Sequence, residues 1–426
     1  MLLLLATVVV GPLLTNVTHA DNWPMWRGPQ GDGASGEQNV VTTWNADASS
    51  PAKNIRWKVE LPGEGHASPI VWEDRVLVVA CLADGQRVLL CLDRLTGKTL
   101  WQQTVIKAQL ENIHQLNSRA SSTPATDGKL IYVTFLKPDG SEKLFKPGRF
   151  ITPGNMVVAA YDFEGKLVWQ ARPGYFASIH GFCSPPVLFE NQVILNGDHD
   201  GESYLVALDK QIGKTLWKVD RENHTRSYST PIIRQIGGRT QMILAGNMCV
   251  ASYDPRSGGR HWIVDGPTEQ FVASMVAGPD NLLFVTGGYP DHHMLAIRPD
   301  GTGNVTGSHI AWRTTESASY VPSPIAVGDY FLVVSDGGIA SQFEARTGTR
   351  TWRQRLGRHY SSSLVAADGL VYFTDDDGIT KVVRPGPAFE QLAENKLGAA
   401  CISSPAISRG QIFFRTAQHL ICVGKE

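Results

Sequence analysis

The sequence predicts an all-β molecule: an eight-bladed β-propeller of four-stranded antiparallel blades, its last blade closed by a strand from near the N-terminus. Three observations predict it. One phrase recurs along the chain: Ser-Pro, an apolar strand, a second strand, Asp, a Gly-Lys turn, then Trp. Trp-to-Trp spacings run from 40 to 50 residues, apart from 68 between Trp101 and Trp169, and that length suits a unit of four short strands. The two ends of the chain carry partial units that complete each other.

Residues 1–20 come first and read as an export signal. Leu2 to Leu14 is almost wholly apolar, and Thr18-His19-Ala20 offers small residues at the outer and inner positions of a cleavage site. The run is short for a membrane-spanning helix, and no Lys or Arg precedes it. The expected product is exported, to the periplasm, cell envelope or exterior, with no transmembrane span after cleavage. Residues 21–54 form an N-terminal extended segment. Residues 55–424 form the single propeller domain.

The clearest copies of the phrase run from Ser68-Pro69 through Asp93 and Gly97-Lys98 to Trp101, and from Thr123-Pro124 through Asp162 to Trp169. The next run from Ser184-Pro185 through Asp209 to Trp217, and from Thr230-Pro231 through Asp254 to Trp262. The fifth keeps Ser274, Asp300-Gly301 and Trp312; the sixth keeps Ser323-Pro324, Gly348 and Trp352. In the seventh, which begins at Ser363, Leu397 is expected in the place of Trp. The eighth begins at Ser404-Pro405 and stops at Cys422-Val423, one strand short. Trp57-Lys58-Val59-Glu60, which reads like Trp217-Lys218-Val219-Asp220, has no strands before it and supplies the missing one. A ring pairs these two partial units and removes raw edges that a linear array would expose.

Each residue of the phrase has a physical job. Proline lacks an N–H and suits a strand's first residue. The Asp and Gly mark a tight turn, with Gly supplying positive φ. Trp57, Trp101, Trp169, Trp217, Trp262, Trp312 and Trp352 are then structural, each covering the junction with the next blade by a large flat face. The second copy is lengthened by a connection from Lys107 to Ser118 and by a segment from Leu136 to Asn155. Insertions of this size sit on loops and are often functional.

The stretch Ala207-Leu208-Asp209-Lys210-Gln211-Ile212-Gly213-Lys214-Thr215-Leu216-Trp217 resembles the docking motif of the pyrroloquinoline-quinone-like (PQQ-like) propellers, a quinoprotein-like relative of WD40 rings. The resemblance covers roughly residues 55–424. The head segment Trp23-Pro24-Met25-Trp26-Arg27-Gly28-Pro29 resembles that of secreted bacterial members of the BamB-like kind. This implies a non-catalytic envelope scaffold, a monomer that binds a protein or peptide partner. The same repeat occurs in quinoprotein dehydrogenases, which implies the alternative of a PQQ-dependent or other channel-mouth enzyme. Those of methanol type carry adjacent cysteines, a calcium-binding Glu/Asn pair and a catalytic Asp. Here Cys81, Cys91, Cys183, Cys249, Cys401 and Cys422 are all apart, and no Glu/Asn/Asp set carries over by position. No cofactor, no metal and no catalytic residue is expected on that basis.

Propellers bind at the channel mouth. The position four before each Ser holds Glu64, Arg119, His180, Arg226, Gln270, Ser319, His359 and Ala400. Two before the Ser stand His66, Ser121, Phe182, Tyr228, Val272, Val321, Ser361 and Ile402. Glu64, His66, Arg119, His180, Arg226, Tyr228, Gln270 and His359 are the candidate ligand-binding set, and their two Arg and two of their His suit an anionic ligand. The competing reading makes them loop residues that bond their own strand ends. Asp198-His199-Asp200-Gly201 and Asp375-Asp376-Asp377-Gly378 are expected as turns between strands, not as metal clusters. With 39 Lys plus Arg against 40 Asp plus Glu, no global field favours nucleic acid or an anionic membrane.

Overall fold

A computed structural model describes residues 22–146 and 148–425; the expected export signal lies outside the described residues. Apolar second and third strands set the architecture. In the first blade, Arg75–Cys81 and Gln86–Asp93 are buried along nearly their whole length. They therefore need cover on both faces, and neighbouring blades provide it. The outer strand, Thr99–Lys107, alternates exposed and half-buried residues because its edge faces solvent.

The described residues form eight small blade sheets and a separate two-stranded hairpin, each blade's inner strand leading outward through hairpins to the edge. Two blades carry an extra strand. In the second, Tyr175–Phe176 pairs with Gly154–Tyr161; in the fourth, Gly303–Asn304 runs parallel to Arg260–Asp265. The eighth blade is closed as expected: Ile55–Glu60 lies antiparallel to His419–Val423, with Trp57 opposite Cys422 and Lys58 opposite Ile421.

Five of the seven tryptophans reach a carbonyl of the next blade through the indole N–H. Trp57 Nε1 donates to Arg94 O (2.8 Å), Trp101 to Phe163 O (2.8 Å), Trp169 to Lys210 O (2.8 Å) and Trp312 to Ala345 O (2.9 Å). Each acceptor lies one residue past the turn Asp, or Glu344, of the next blade. The turn glycine is needed twice over. Gly97 has φ +72°, and a Cβ there would sit 2.7 Å from the Trp57 ring. Two depart from the pattern: Trp262 bonds Gln241 Oε1 within its own blade (2.8 Å), and the Trp352 indole N–H has no hydrogen-bond partner. The seventh blade corrects one expectation. Ala393, not Leu397, occupies the tryptophan place, paired with Val382 just as Trp352 is with Gln342. Leu397 follows the strand and is buried in the core.

The serine of the phrase has a job that sequence reasoning left unassigned. Its hydroxyl accepts the backbone N–H of the equivalent residue in the preceding blade. Thr230 N–H donates to Ser274 Oγ (3.0 Å), Ser274 to Ser323 (2.9 Å), Ser323 to Ser363 (3.0 Å) and Ser363 to Ser404 (2.9 Å). A belt of hydroxyls thus satisfies amides that line the channel and would otherwise be stranded. At the seam between the eighth and first blades, two buried arginines clamp instead. Arg94 donates to Ser408 Oγ (2.9 Å), and Arg415 donates to Val79 O.

The N-terminal segment crosses one end of the ring. Trp23 pairs with Val71 of the first blade, and Pro24 O accepts Thr126 N–H from the second. Arg27, 1% exposed, donates to Pro324 O (2.6 Å) and Leu364 O (3.4 Å), tying the sixth and seventh blades. Arg234 of the fourth reaches Gln30 O (2.7 Å) and Asp32 (3.0 Å). The chain then runs outward along the seventh blade, past Ala366 and Lys396, into its closing strand. All six cysteines are free thiols.

Candidate functional site: the blind channel and its open mouth

Because residues 22–34 seal one end, the channel is a cup. Trp26 forms part of its floor, its indole N–H reaching Ser274 Oγ at 3.4 Å. The cavity measures about 590 Å³, within the usual range of ligand pockets.

The residue two before each Ser is the best guide to the wall. His66, Ser121, Tyr228, Val272, Val321, Ser361 and Ile402 all line it; Phe182 does not, being packed on Phe176. Extended backbone puts alternate residues on one side, so the conserved spacing of the phrase aims this position and the Ser itself inward. Four before the Ser, the chain is already leaving the wall. The backbone of Glu64 pairs with Cys81 and that of Gln270 with Tyr289, at the rim. From the candidate set, His66, His180, Arg226, Tyr228 and Gln270 line the cavity, whereas Glu64, Arg119 and His359 do not.

The mouth neutralises its own charges. Arg226 is paired with Asp200, which also accepts the Ile179 N–H. Arg119 bonds Glu64 (3.0 Å) and approaches Glu111, itself the buried partner of Arg87. His66 and His180 are pushed down to about 4, chiefly by burial and then by Arg415 and Arg226 respectively, so both are neutral at pH 7. Burial likewise raises Tyr228, whose hydroxyl bonds Ser178, and raises Tyr320 to about 12. Asp336 reaches the cavity but spends its carboxylate on the Tyr320 and Val321 N–H groups.

Both insertions of the second blade arrive at this mouth. His114, Leu116 and Asn117 from the first and Arg149 from the second line the cavity. They are bonded together, Asn112 N–H to Thr152 Oγ1 (3.0 Å). Asn117 Nδ2 donates to His180 O (2.8 Å), and the His114 and His180 rings lie 5.3 Å apart. Sequence reasoning flagged these segments without placing them, and it missed Trp26, Tyr289 and Tyr320. The Trp23-Pro24-Met25-Trp26-Arg27-Gly28 head was the available signal for Trp26: a segment with two Trp and an Arg needs a buried seat.

The expected turns are turns. Asp198–Gly201 lies between the second and third strands of its blade, with Asp198 buried against Arg221 (2.7 Å). Asp376 accepts the Ser361 N–H at 2.7 Å. Among the described residues, no three His, Cys, Asp or Glu side chains come together as a metal site.

Ring, docked tryptophans and blind channel together define a PQQ-like propeller with a self-plugged base. The family model described as outer membrane protein assembly factor BamB matches residues 34–145, 145–274 and 302–385, and the chain belongs to that family. An outer membrane protein assembly factor BamB of Burkholderia pseudomallei is 29% identical over 97 residues, spanning 23% of this chain and only 25% of that relative. BamB from Moraxella catarrhalis shares the fold at a TM-score of 0.58 and 12% identity, covering 87% of this chain and 99% of that one. A europium-containing methanol dehydrogenase shares it at 0.54 and 13% identity, covering 86% and 90%. Among the described residues, no helix is long and apolar enough to cross a membrane.

Proposed function

We propose that this chain is an exported, non-catalytic scaffold of the bacterial cell envelope, a monomeric ring that takes a segment of a protein partner into its open mouth. The observation that carries the reading is the one-ended cavity of about 590 Å³, in which Arg226 is already paired with Asp200. A largely apolar wall set with hydroxyls, neutral imidazoles and tyrosines suits backbone amides and mixed side chains better than a free anion, which would have to displace an internal carboxylate. Family membership supports a protein partner, and the insertions at the rim supply the variable contact surface.

The quinoprotein alternative is favoured only by the shared fold. PQQ is a flat tricarboxylate that works beside a metal ion. Arg149 is the one lining Lys or Arg without an ion pair among the described residues, and the lining carboxylate, Asp336, is engaged by backbone amides. These residues do not fit the pair, and no redox step is derived.

A photo-crosslinking residue at Leu116, 60% exposed on the rim, tests the reading in cells. It is expected to trap an envelope protein, while the same residue at Leu392, on the outer edge of the seventh blade, traps none. Crosslinks at Leu392 without any at Leu116 would move the docking surface off the channel. Added quinone and calcium are expected to give no dye reduction.

A further inference from the structure

Beside the mouth and outside the channel, the insertion hairpin Lys143–Lys146 and Arg149–Ile151 leans on the third blade and leaves a cleft of about 440 Å³. Its lining contains His199 and Tyr204, each only 2% exposed. The Tyr204 hydroxyl has no hydrogen-bond partner, and His199 meets only the Glu202 main chain, with no well-formed hydrogen bond at either ring nitrogen. Buried polar atoms are nearly always satisfied, so under-satisfied groups on two rings of one cleft point to something that enters it. Burial, only partly opposed by the Glu202 backbone, holds His199 down to about 4. The imidazole is therefore neutral at pH 7 and offers one donor and one acceptor.

The walls carry charge of both signs. Lys143 Nζ stands 5.2 Å from the Tyr175 ring centre, and Lys218 Nζ stands 3.8 Å from that of Tyr204. Neither ammonium is in an ion pair among the described residues; Lys218 bonds only the Pro173 carbonyl (3.3 Å). Asp220 and the 97%-exposed Glu202 stand on the acidic side, while Asp200 is committed to Arg226. Leu144, 63% exposed, presents an apolar face to the same space.

We propose that this cleft binds a zwitterionic ligand of the amino-acid or short-peptide class. The carboxylate would lie with Lys143 and Lys218 and the ammonium toward Glu202 and Asp220. The side chain would rest on Leu144, and His199 and Tyr204 would bond the remaining amide or polar group. A pure anion would meet two acids in the same cleft, and a pure cation two lysines that no carboxylate pairs among the described residues. A molecule with both charges leaves neither excess.

Calorimetric titration of the mature chain with the free dipeptide Leu-Tyr tests this. Binding is expected at micromolar to millimolar concentration. The blocked form, N-acetyl-Leu-Tyr-amide, is expected to bind at least about tenfold more weakly, and Lys218→Met to lose about tenfold. Lys143→Met, at the cleft's open side, serves if Lys218→Met does not fold. Tyr228→Ala, in the channel, is expected to leave dipeptide binding unchanged, which separates this site from the partner-binding mouth. Absence of heat with Leu-Tyr at millimolar concentration, or equal affinity for the blocked dipeptide, overturns the assignment.

Discussion

The two ends of the channel solve opposite problems with the same ring. At the base, Arg27, Trp23 and Gly33–Ser35 bond main-chain groups of the blades, and those groups cannot move without moving the sheets. At the mouth, several contacts join side chain to side chain: Arg226 with Asp200, Tyr228 with Ser178, Gln270 with Tyr320. The first arrangement makes the plug part of the fold. The second leaves the mouth able to exchange one partner for another, because each of its pairs sits on loops between strands. Stability thus belongs to the base, and the proposed recognition would belong to the opposite end of the same cavity.

The comparison breaks most visibly at Trp23. It is 1% exposed and packed into the largest apolar cluster, so Trp23→Ala is expected to cost about 4 kcal/mol in urea unfolding. A loss below about 1 kcal/mol would show that the plug is an accessory strap and not part of the core. Arg27→Met comes next. It leaves the Pro324 and Leu364 carbonyls buried without a donor, and the expected cost is about 3 kcal/mol. The cost is moderated because burial already holds the Arg27 guanidinium down to about 10.

How much of this could be read in advance follows from the same contrast. The ring was legible because its signals are periodic and local. A Trp, a turn glycine and a Ser-Pro recur at similar offsets, and the closing strand Trp57–Glu60 matches Trp217–Asp220 at its first three residues and keeps an acid at the fourth. The seventh blade misled because its outer strand has no Trp, and the bulge that skips Leu392 hides which residue replaces it. The wall of the cup was half legible: the repeat aligns positions, but the point where the chain leaves the wall depends on rim pairing such as Glu64 with Cys81. The plug was not legible, since its bonds run to several different blades, those of the arginines across hundreds of residues, and leave no period in the sequence. Nor was the pairing of Arg226 with Asp200, because a carboxylate in a turn looks the same whether or not an arginine reaches it.

Acid is expected to act on the mouth before the base. His66 and His180 sit at about 4 in the fold, against about 6.5 in the unfolded chain. Between those values the unfolded chain binds more protons, so stability rises with pH across that window. The contribution is fully present above about 6.5, declines toward 4, and falls no further below it. Urea midpoints at pH 7, 5.5 and 4.5 check the slope. Hydrogen exchange is expected to show the loops around His66 and Ser178–Phe182 opening first, while the plug, which carries no histidine, keeps its protection. Equal loss of protection at both ends would remove the distinction between them.

The smallest effect is expected where the candidate set reached furthest from the wall. Glu64 is 47% exposed at its side chain, and its pair with Arg119 lies on the rim. Exposed pairs contribute little, so Glu64→Gln is expected to cost about 0.5 kcal/mol or less. Arg119 would not swing free, because its Nε still donates to Glu111 O at 3.0 Å, and Glu111 is anchored by buried Arg87. Partner capture through Leu116 is therefore expected to survive Glu64→Gln and to fall with Tyr228→Ala, whose ring lines the cup itself. The reverse order would mean that recognition happens on the outer rim and that the channel is only a consequence of closing the ring.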